Sequence, residues 1–183
     1  ETPVYARAEG YIIKRYVDIG DYVKAGQVLV EIDSPEQDQQ LRSARARLAQ
    51  LRASLAQAQA AQQVSQANLK LASVTVARMK QLVAEGVMSK QAGDESQAQF
   101  EARQADLGVQ QANVNAARES IRTQEAEVAR IEELNKFKQV TAPFEGLITV
   151  RNCAVGNLIT PAALQAGREL FRLSDISTLR IYI

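Results

Sequence analysis

The sequence contains no histidine, no tryptophan and only one cysteine, Cys153, in 183 residues. Without histidine, the chain lacks the side chain that most often acts as a general base and as a metal ligand near neutral pH. A single cysteine excludes an internal disulfide. There is also no glycine-rich phosphate loop. The residues therefore provide no catalytic constellation, and we predict that the protein is not an enzyme.

The chain also has no large excess of charge of either sign, because 22 Lys and Arg residues balance 21 Asp and Glu residues. Nucleic-acid-binding domains usually present a basic face, and single-strand binders add aromatic side chains that stack on bases. Neither feature is present, so we predict no nucleic-acid partner. No apolar run approaches the roughly 20 residues that span a bilayer.

The middle of the chain, residues 34–137, has helical composition with clear start and stop signals. Ser34 is suited to the N-cap and Pro35 to the first helical position, and Gln37 completes a predicted capping box with Ser34. Gly86 is suited to the position after a helix, and Ser89 to the N-cap of a second helix. One break between two long helices predicts an antiparallel hairpin with its tip near residues 85–89.

Heptad spacing supports a coiled-coil seam between these helices. The first helix carries two rows, namely Leu41, Leu48, Leu55, Gln62, Leu69, Val76 and Val83, and Ala44, Leu51, Ala58, Ser65, Ala72 and Met79. The second carries Phe100, Leu107, Val114, Ile121 and Val128, with the more polar companions Arg103, Gln110, Ala117, Gln124 and Ile131. Gln62 and Ser65 predict a polar layer that fixes the register of the helices.

The two ends of the chain repeat one phrase. The stretch "EGYIIKRYVDIG" begins at Glu9, and "EGLITVRNCAVG" begins at Glu145. Further along, "VLVEID" corresponds to "ELFRLSD", after a match of Gly26 with Gly167. Each half has about 30 residues and is too small to fold alone. We therefore predict one β domain with pseudo-twofold symmetry, built from both ends and interrupted by the hairpin.

The two β segments resemble the halves of a biotinyl or lipoyl domain. Split by a long hairpin, they resemble the periplasmic adaptor subunits, or membrane fusion proteins of the HlyD and AcrA type, of tripartite efflux pumps. The resemblance implies an α+β fold in which a lipoyl-like β-sandwich (barrel-sandwich hybrid) is interrupted by a coiled-coil hairpin. The expected segments are 1–33 and 138–175 for the two lipoyl-like halves, 34–137 for the hairpin, and 176–183 for the start of a β-barrel.

The resemblance also implies a function. The expected role is a periplasmic link between an inner-membrane transporter and an outer-membrane channel of TolC type. It implies self-association, with a hexamer as the family arrangement, and anchoring to the inner membrane through segments outside this chain. The short stretch "LSDISTLRIYI" is closer to adaptors of RND transporters, but an ABC exporter and a heavy-metal efflux system remain alternatives.

The hairpin tip of that family docks the channel through Arg, Leu and Ser at the spacing R-x3-L-x6-S. This chain reads "RMKQLVAEGVMS", which places Arg78, Leu82 and Ser89 at those positions. The resemblance assigns partner binding to these three residues. Taken singly, Ser89 is also explained by helix capping and Leu82 by packing in the turn.

Two other classes of function compete with the adaptor. In lipoyl and biotinyl carriers the modified lysine lies on the turn between the two halves, where this chain has "DSPE" and the hairpin instead. Lys24 lies in a different loop, so we predict no attached cofactor. A purely structural coiled coil remains the third reading. The cargo, whether an organic compound or a metal, is left open by the sequence.

Overall fold

The computed structural model describes residues 1–160 and 169–175, so the predicted barrel start at 176–183 and the match to Gly167 lie outside the described residues. The elements are β1 (Thr2–Val4), β2 (Gly10–Arg15), β3 (Tyr22–Val23), β4 (Val28–Asp33), α1 (Pro35–Ala84), α2 (Lys90–Lys136), β5 (Gln139–Thr141), β6 (Gly146–Arg151), β7 (Leu158–Ile159) and β8 (Phe171–Ser174).

The chain forms two compact units. Unit 1 comprises Glu1–Ser43 and Val128–Ile183, and unit 2 comprises Ala44–Glu127. The division falls inside both helices, so the boundaries of the four segments drawn from the sequence stay a prediction.

Unit 1 contains two four-stranded antiparallel sheets with the strand orders β1-β8-β6-β3 and β5-β4-β2-β7. Exchanging β1–β4 with β5–β8 converts one order into the other. Both central pairings, β2 with β4 and β6 with β8, also contain an irregularity at the same place. The predicted duplication and its pseudo-twofold symmetry are therefore confirmed.

Each half supplies a turn to the other half. The Gly20 N–H donates to the Ile148 carbonyl at 2.9 Å, and the Gly156 N–H donates to the Ile12 carbonyl at 2.8 Å. Both glycines have positive φ, 90° and 89°, which favours glycine because a side chain there is strained. The two halves thus interlock through equivalent backbone hydrogen bonds.

The apolar core of unit 1 is shared by both halves. Ile12, Leu29 and Ile32 come from the first half and are almost completely buried. Ile148, Phe171 and Leu173 come from the second half and are buried to the same degree. Because neither half holds the core alone, removal of either one exposes the apolar side chains of the other.

The helix starts follow the sequence signals with one exception. Helix α1 begins at Pro35 and has 50 residues, and α2 has 47 residues. Ser34, which precedes Pro35, is buried. The predicted capping box is wrong for the bond that Gln37 was expected to accept, since Gln37 Oε1 is buried and accepts no hydrogen bond. The reciprocal bond from the Ser34 N–H to the Gln37 side chain is therefore not made.

The predicted seam of the hairpin is confirmed, because all the predicted positions on α1 are buried or half-buried. On α2 only Arg103 is exposed. Within unit 2 the helices run antiparallel, as shown by the ion pair of 2.9 Å between Arg52 Nη2 and Glu125 Oε1 near one end and by the contacts of Ser65 further along. Among the described residues, neither helix has an apolar stretch long enough for a membrane span.

The predicted polar layer is present in unit 2. The Ser65 hydroxyl is buried and donates to Asp106 Oδ2 at 2.8 Å. The Gln62 side-chain amide donates to Gln111 Oε1. Both partners come from α2, so the layer matches polar groups across the seam and favours one register of the two helices.

Candidate functional site at the hairpin tip

The end of α1 is fixed by backbone hydrogen bonds that the sequence dictates through Gly86. The Gly86 N–H donates to the Val83 carbonyl at 3.1 Å, and the Val87 N–H donates to the Leu82 carbonyl at 2.9 Å. With φ of 74° at Gly86, this is a Schellman motif, in which a left-handed residue allows the last carbonyls of a helix to find donors. The tip is therefore an ordered turn.

The turn presents apolar side chains at the end of unit 2. Val87 is 66% exposed and Met88 is 37% exposed, while Leu82 is half-buried. The Met88 N–H also donates to the Leu82 carbonyl, at 3.2 Å. Leu82 thus anchors the backbone of both exposed residues. Apolar surface at the end of a hairpin gives the isolated chain no stability, and it is typical of a surface that binds another protein.

Ser89 caps the second helix. Its Oγ accepts a hydrogen bond from the Ala92 N–H at 3.2 Å, which is the bond expected of an N-cap serine. The side chain is exposed. The capping role that the sequence allowed for Ser89 is therefore present, and an exposed hydroxyl at the tip remains accessible to a partner.

Arg78 lies one helical turn before Leu82 on the same face of α1, because residues four apart are neighbours on a helix surface. The residue is exposed. Its guanidinium is a planar fork of donors that suits carboxylates and the carbonyls at helix ends. The structure thus places Arg78, Leu82 and Ser89 in the last two turns of α1 and at the cap of α2, at one end of unit 2.

One contact that supports the tip was missed by sequence reasoning. A Cβ built on Gly93 would lie 3.3 Å from Val83 Cγ2, closer than most real contacts of this kind. Gly93 therefore lets the first turns of α2 approach α1 just below the turn. The only signal was a glycine early in a helix, which alone does not indicate what packs against it.

A charged cluster joins the two halves of unit 1. Asp18 Oδ2 lies 2.7 Å from Arg15 Nη1, and Asp18 Oδ1 lies 3.4 Å from Arg151 Nε. Arg15 and Arg151 are equivalent positions of the repeat, but the position equivalent to Asp18 is Ala154. The Arg15 hydrogen bond, with a second one from the Ile19 N–H, lowers the pKa of the Asp18 carboxyl. The cluster is asymmetric within a symmetric fold.

In this chain the helical hairpin replaces the turn on which carrier domains bear their modified lysine. The connection from β4 to β5 contains both helices. Lys24 is exposed in the turn between β3 and β4, where its N–H donates to Gln27 Oε1 at 3.0 Å. Within residues 1–160 and 169–175, no group of three or more His, Cys, Asp or Glu side chains is arranged to hold a metal ion.

Comparison with known proteins agrees with this architecture. The family model for the barrel-sandwich hybrid domain of RND membrane fusion proteins matches residues 1–167. The macrolide export protein MacA of Yersinia pestis is 30% identical over 181 residues, which cover 99% of this chain and 44% of that protein. The multidrug resistance protein MdtA of Escherichia coli O17:K52:H18 is 30% identical over 157 residues, or 86% of this chain and 31% of that protein.

A solved structure shows the same fold. The crystal structure of MacA from Actinobacillus actinomycetemcomitans has a TM-score of 0.62 and 26% identity, and the match covers 96% of this chain and 49% of that one. The chain thus spans less than half the length of these relatives. It belongs to the family of RND membrane fusion proteins, the periplasmic adaptors of efflux pumps.

Proposed function

We propose that this chain is the part of a periplasmic adaptor that reaches an outer-membrane channel of TolC type and docks it through the hairpin tip. The role is that of a binding module and not of an enzyme. Family membership supports the adaptor role, since the matching family model covers residues 1–167. The observation that carries the docking proposal is the ordered tip, with Val87 and Met88 exposed above Leu82.

The three tip residues have complementary tasks in this proposal. Leu82, with Val87 and Met88, buries apolar surface against the helix ends of the channel. Arg78 donates to carboxylates or to unpaired carbonyls at those helix ends, which carry partial negative charge. Ser89 caps α2 and adds a hydroxyl to the contact. Because the Schellman motif already orders the turn, binding loses little conformational freedom there.

Binding of the purified 183-residue chain to a purified TolC-type channel tests the docking. Leu82→Asp places a charge in the apolar contact, and we expect at least a tenfold loss of affinity. Arg78→Glu reverses an exposed charge and is expected to weaken binding while leaving helix content unchanged. The second variant keeps the test decisive if Leu82→Asp disturbs the turn.

Leu134→Asp is the matched control, because Leu134 is a partly exposed leucine, 38% accessible, at the other end of α2. We expect it to bind like the parent. Ser89→Asn retains a good N-cap, so a loss of affinity in that variant assigns a contact role to Ser89. Unchanged affinity for both Leu82→Asp and Arg78→Glu, with the hairpin intact, would refute the docking.

The motor proposed for this adaptor is an inner-membrane RND transporter, with an ABC exporter as the alternative. The support is the family model, which describes RND membrane fusion proteins. We also propose an organic compound as cargo, since the relatives are named for macrolide export and multidrug resistance. Deletion of the gene is expected to sensitise cells to such compounds. Sensitivity to zinc or copper alone would favour the heavy-metal alternative.

The assembly proposed here is a periplasmic ring of adaptors, with a hexamer as the expected number and with inner-membrane anchoring through segments outside this chain. Membership of the chain in the adaptor family supports this arrangement. Native mass spectrometry of the full-length adaptor measures the number of copies. A strictly monomeric adaptor at all concentrations would contradict the ring.

A further inference from the structure

Two edge strands of unit 1 border an open groove. Strand β1 is the edge of one sheet and β5 is the edge of the other, and within the described residues neither has a further strand beside it. The groove has a volume of about 390 Å³ and is lined by residues of β1, of β5 and of the segments that flank them. A volume of this size lies in the range of sites that hold small organic molecules.

Among the described residues that line this groove, Arg7 is the only one with a charged side chain. Its guanidinium carbon lies 4.3 Å from the centre of the Phe137 ring, a distance typical of a cation–π contact. Within the part of the chain that the structure describes, the guanidinium forms no ion pair and no hydrogen bond. Its N–H donors are therefore available to a ligand, and the groove carries a positive charge without a counter-charge.

The Arg7 side chain determines which charge and which shape of ligand the groove favours. A guanidinium is planar and presents pairs of parallel N–H groups, which match the two oxygens of a carboxylate. Contact with Phe137 already restricts the side chain, so less conformational freedom is lost when a ligand binds. The groove therefore favours an organic anion that carries a carboxylate.

The walls beside Arg7 present apolar surface to solvent. Pro3, Tyr5 and Pro143 line the groove and are exposed, and Phe137 is half-buried. Covering such surface with an apolar group removes it from water, which is favourable. Aromatic rings also pack well against other rings. An aromatic ring attached to the carboxylate would cover this surface, whereas a small inorganic anion would leave it in water.

The open edge of β5 supplies further hydrogen-bonding groups. The Ala142 N–H, directly after β5, donates to the Gln27 carbonyl at 2.9 Å, on the side where β4 lies. Successive residues of an antiparallel strand direct their backbone groups to opposite sides. Gln139 and Thr141 therefore direct theirs away from β4, and both residues line the groove. Their N–H groups are donors for the oxygens of a ligand.

We propose that unit 1 binds an aromatic carboxylate in this groove. The carboxylate accepts hydrogen bonds from the Arg7 guanidinium, and the ring packs against the exposed walls formed by Pro3, Tyr5 and Pro143. The site lies in the sandwich and is separate from the hairpin tip, so it goes beyond the docking proposed above and does not depend on it. The adaptor then has a ligand site of its own.

Titration of the purified 183-residue chain with 2-naphthoate tests this inference. Calorimetry measures the affinity, and NMR of the isotope-labelled chain locates the ligand. We expect saturable binding at a single site, with chemical-shift changes at the Arg7 Nε–H and the Thr141 N–H. Naphthalene-2-methanol carries the same ring without the charge, and we expect it to bind roughly tenfold more weakly because it forms no hydrogen bond of carboxylate strength.

Three variants sharpen the test. Arg7→Gln removes the charge and should lower the affinity for 2-naphthoate roughly tenfold, while leaving that for the alcohol unchanged. Phe137→Leu keeps an apolar side chain but removes the ring beside the guanidinium, so a smaller loss is expected. Arg122→Gln is the matched control, because Arg122 is an exposed arginine of unit 2 outside the groove. It should bind 2-naphthoate like the parent.

Several outcomes would overturn the inference. Absence of saturable binding would show that the groove is not a site for this class of ligand. Equal affinity for 2-naphthoate and the alcohol, or unchanged affinity in Arg7→Gln, would show that the guanidinium does not recognise the carboxylate. Chemical-shift changes at Val87 and Met88 in place of the groove would assign the ligand to the apolar tip. Because no channel is present in this assay, each result leaves the docking proposal to its own experiment.

Discussion

The two units of this protein bury their apolar side chains to very different degrees. Unit 1 surrounds a continuous core in which Leu29, Ile148 and Phe171 are almost inaccessible to solvent. In unit 2 the buried side chains are Ala44, Leu48, Ser65, Val76 and Val114, and most seam positions are half-buried. One unit is complete by itself, whereas the other keeps apolar surface accessible along its length.

Because of this difference, unit 1 supplies the stability of a folded core and unit 2 supplies surface for binding. A core shared by two interlocked halves supplies the hydrophobic stabilisation that a domain of this size needs. A two-helix seam supplies less per residue, and its exposed positions, such as Val64, Leu71 and Val87, are available to partners. Substitutions in unit 1 should therefore act on folding, and substitutions on the exposed faces of unit 2 should act on assembly.

The largest expected effect comes from Gly10→Ala. A Cβ at this position would lie 2.0 Å from the Asp33 carbonyl oxygen, and φ is 152°. The strands β2 and β4 would have to separate to make room for this Cβ. We therefore expect the free energy of unfolding to fall by more than about 4 kcal/mol, a loss that single substitutions cause only when they disrupt the structure severely. Urea denaturation followed by circular dichroism measures it.

Gly20→Ala is the matched control for Gly10→Ala. Its φ is 90°, but nothing lies within 4 Å of a Cβ built there. The cost should therefore be only the backbone strain, about 1–2 kcal/mol. Equal losses for the two variants would show that strain, and not the close approach of β2 to β4, determines the requirement for glycine.

The second prediction compares the loss of stability when a leucine is shortened to alanine in each of the two units. Leu29→Ala removes a side chain with no solvent exposure and should cost about 3–4 kcal/mol. Leu55→Ala removes a half-buried seam residue and should cost about 1–2 kcal/mol. All five tyrosines lie outside residues 44–127, so tyrosine fluorescence reports on unit 1 while circular dichroism at 222 nm reports on the helices.

We expect Leu29→Ala to lower the denaturation midpoint seen by tyrosine fluorescence. Leu55→Ala should lower the midpoint of the helical signal and leave the fluorescence midpoint unchanged. If both variants shift both signals equally, the units unfold as one, and the separation drawn above does not hold.

The smallest effect concerns the charged cluster. Arg15 lowers the pKa of the Asp18 carboxyl in the folded protein. A lowered folded pKa stabilises the fold at pH values above the unfolded pKa of about 3.9, and this contribution is lost as the pH falls through the folded pKa. Asp18→Asn should therefore reduce the melting temperature slightly at pH 7, with a difference that shrinks below about pH 4. A difference independent of pH would indicate lost packing instead.

The helices and their ends were predictable because their signals are local. Pro35, Gly86 and Ser89 mark ends through the conformations and bonds of single residues, and the structure has them where the sequence indicated. The duplication was also predictable from the sequence, because the equivalent turns of the two halves each require a glycine. The capping bond predicted for Gln37 is absent, because Gln37 Oε1 is buried without a hydrogen-bond partner.

Features that depend on distant pairs were not readable from one sequence. The register between β2 and β4 and between β6 and β8 makes Ser174 the equivalent of Asp33, because Gly10 and Gly146 approach those residues closely. The alignment of "VLVEID" with "ELFRLSD" does not fix this. Likewise, Asp18 contacts Arg151 across more than a hundred positions, and nothing local in either residue indicates that pairing.

The direct pairing of β4 with β5 has a consequence for the length of the inserted hairpin. Val30 lies opposite Val140, so the chain leaves and re-enters the sandwich through neighbouring strands. Lys138 Nζ also lies 2.6 Å from Asp38 Oδ1 beside that exit. The length of the insertion is thus independent of the sandwich. Deleting or adding seven residues in each helix would shorten or lengthen the hairpin by about 10 Å and keep the heptad phase of the remaining seam positions.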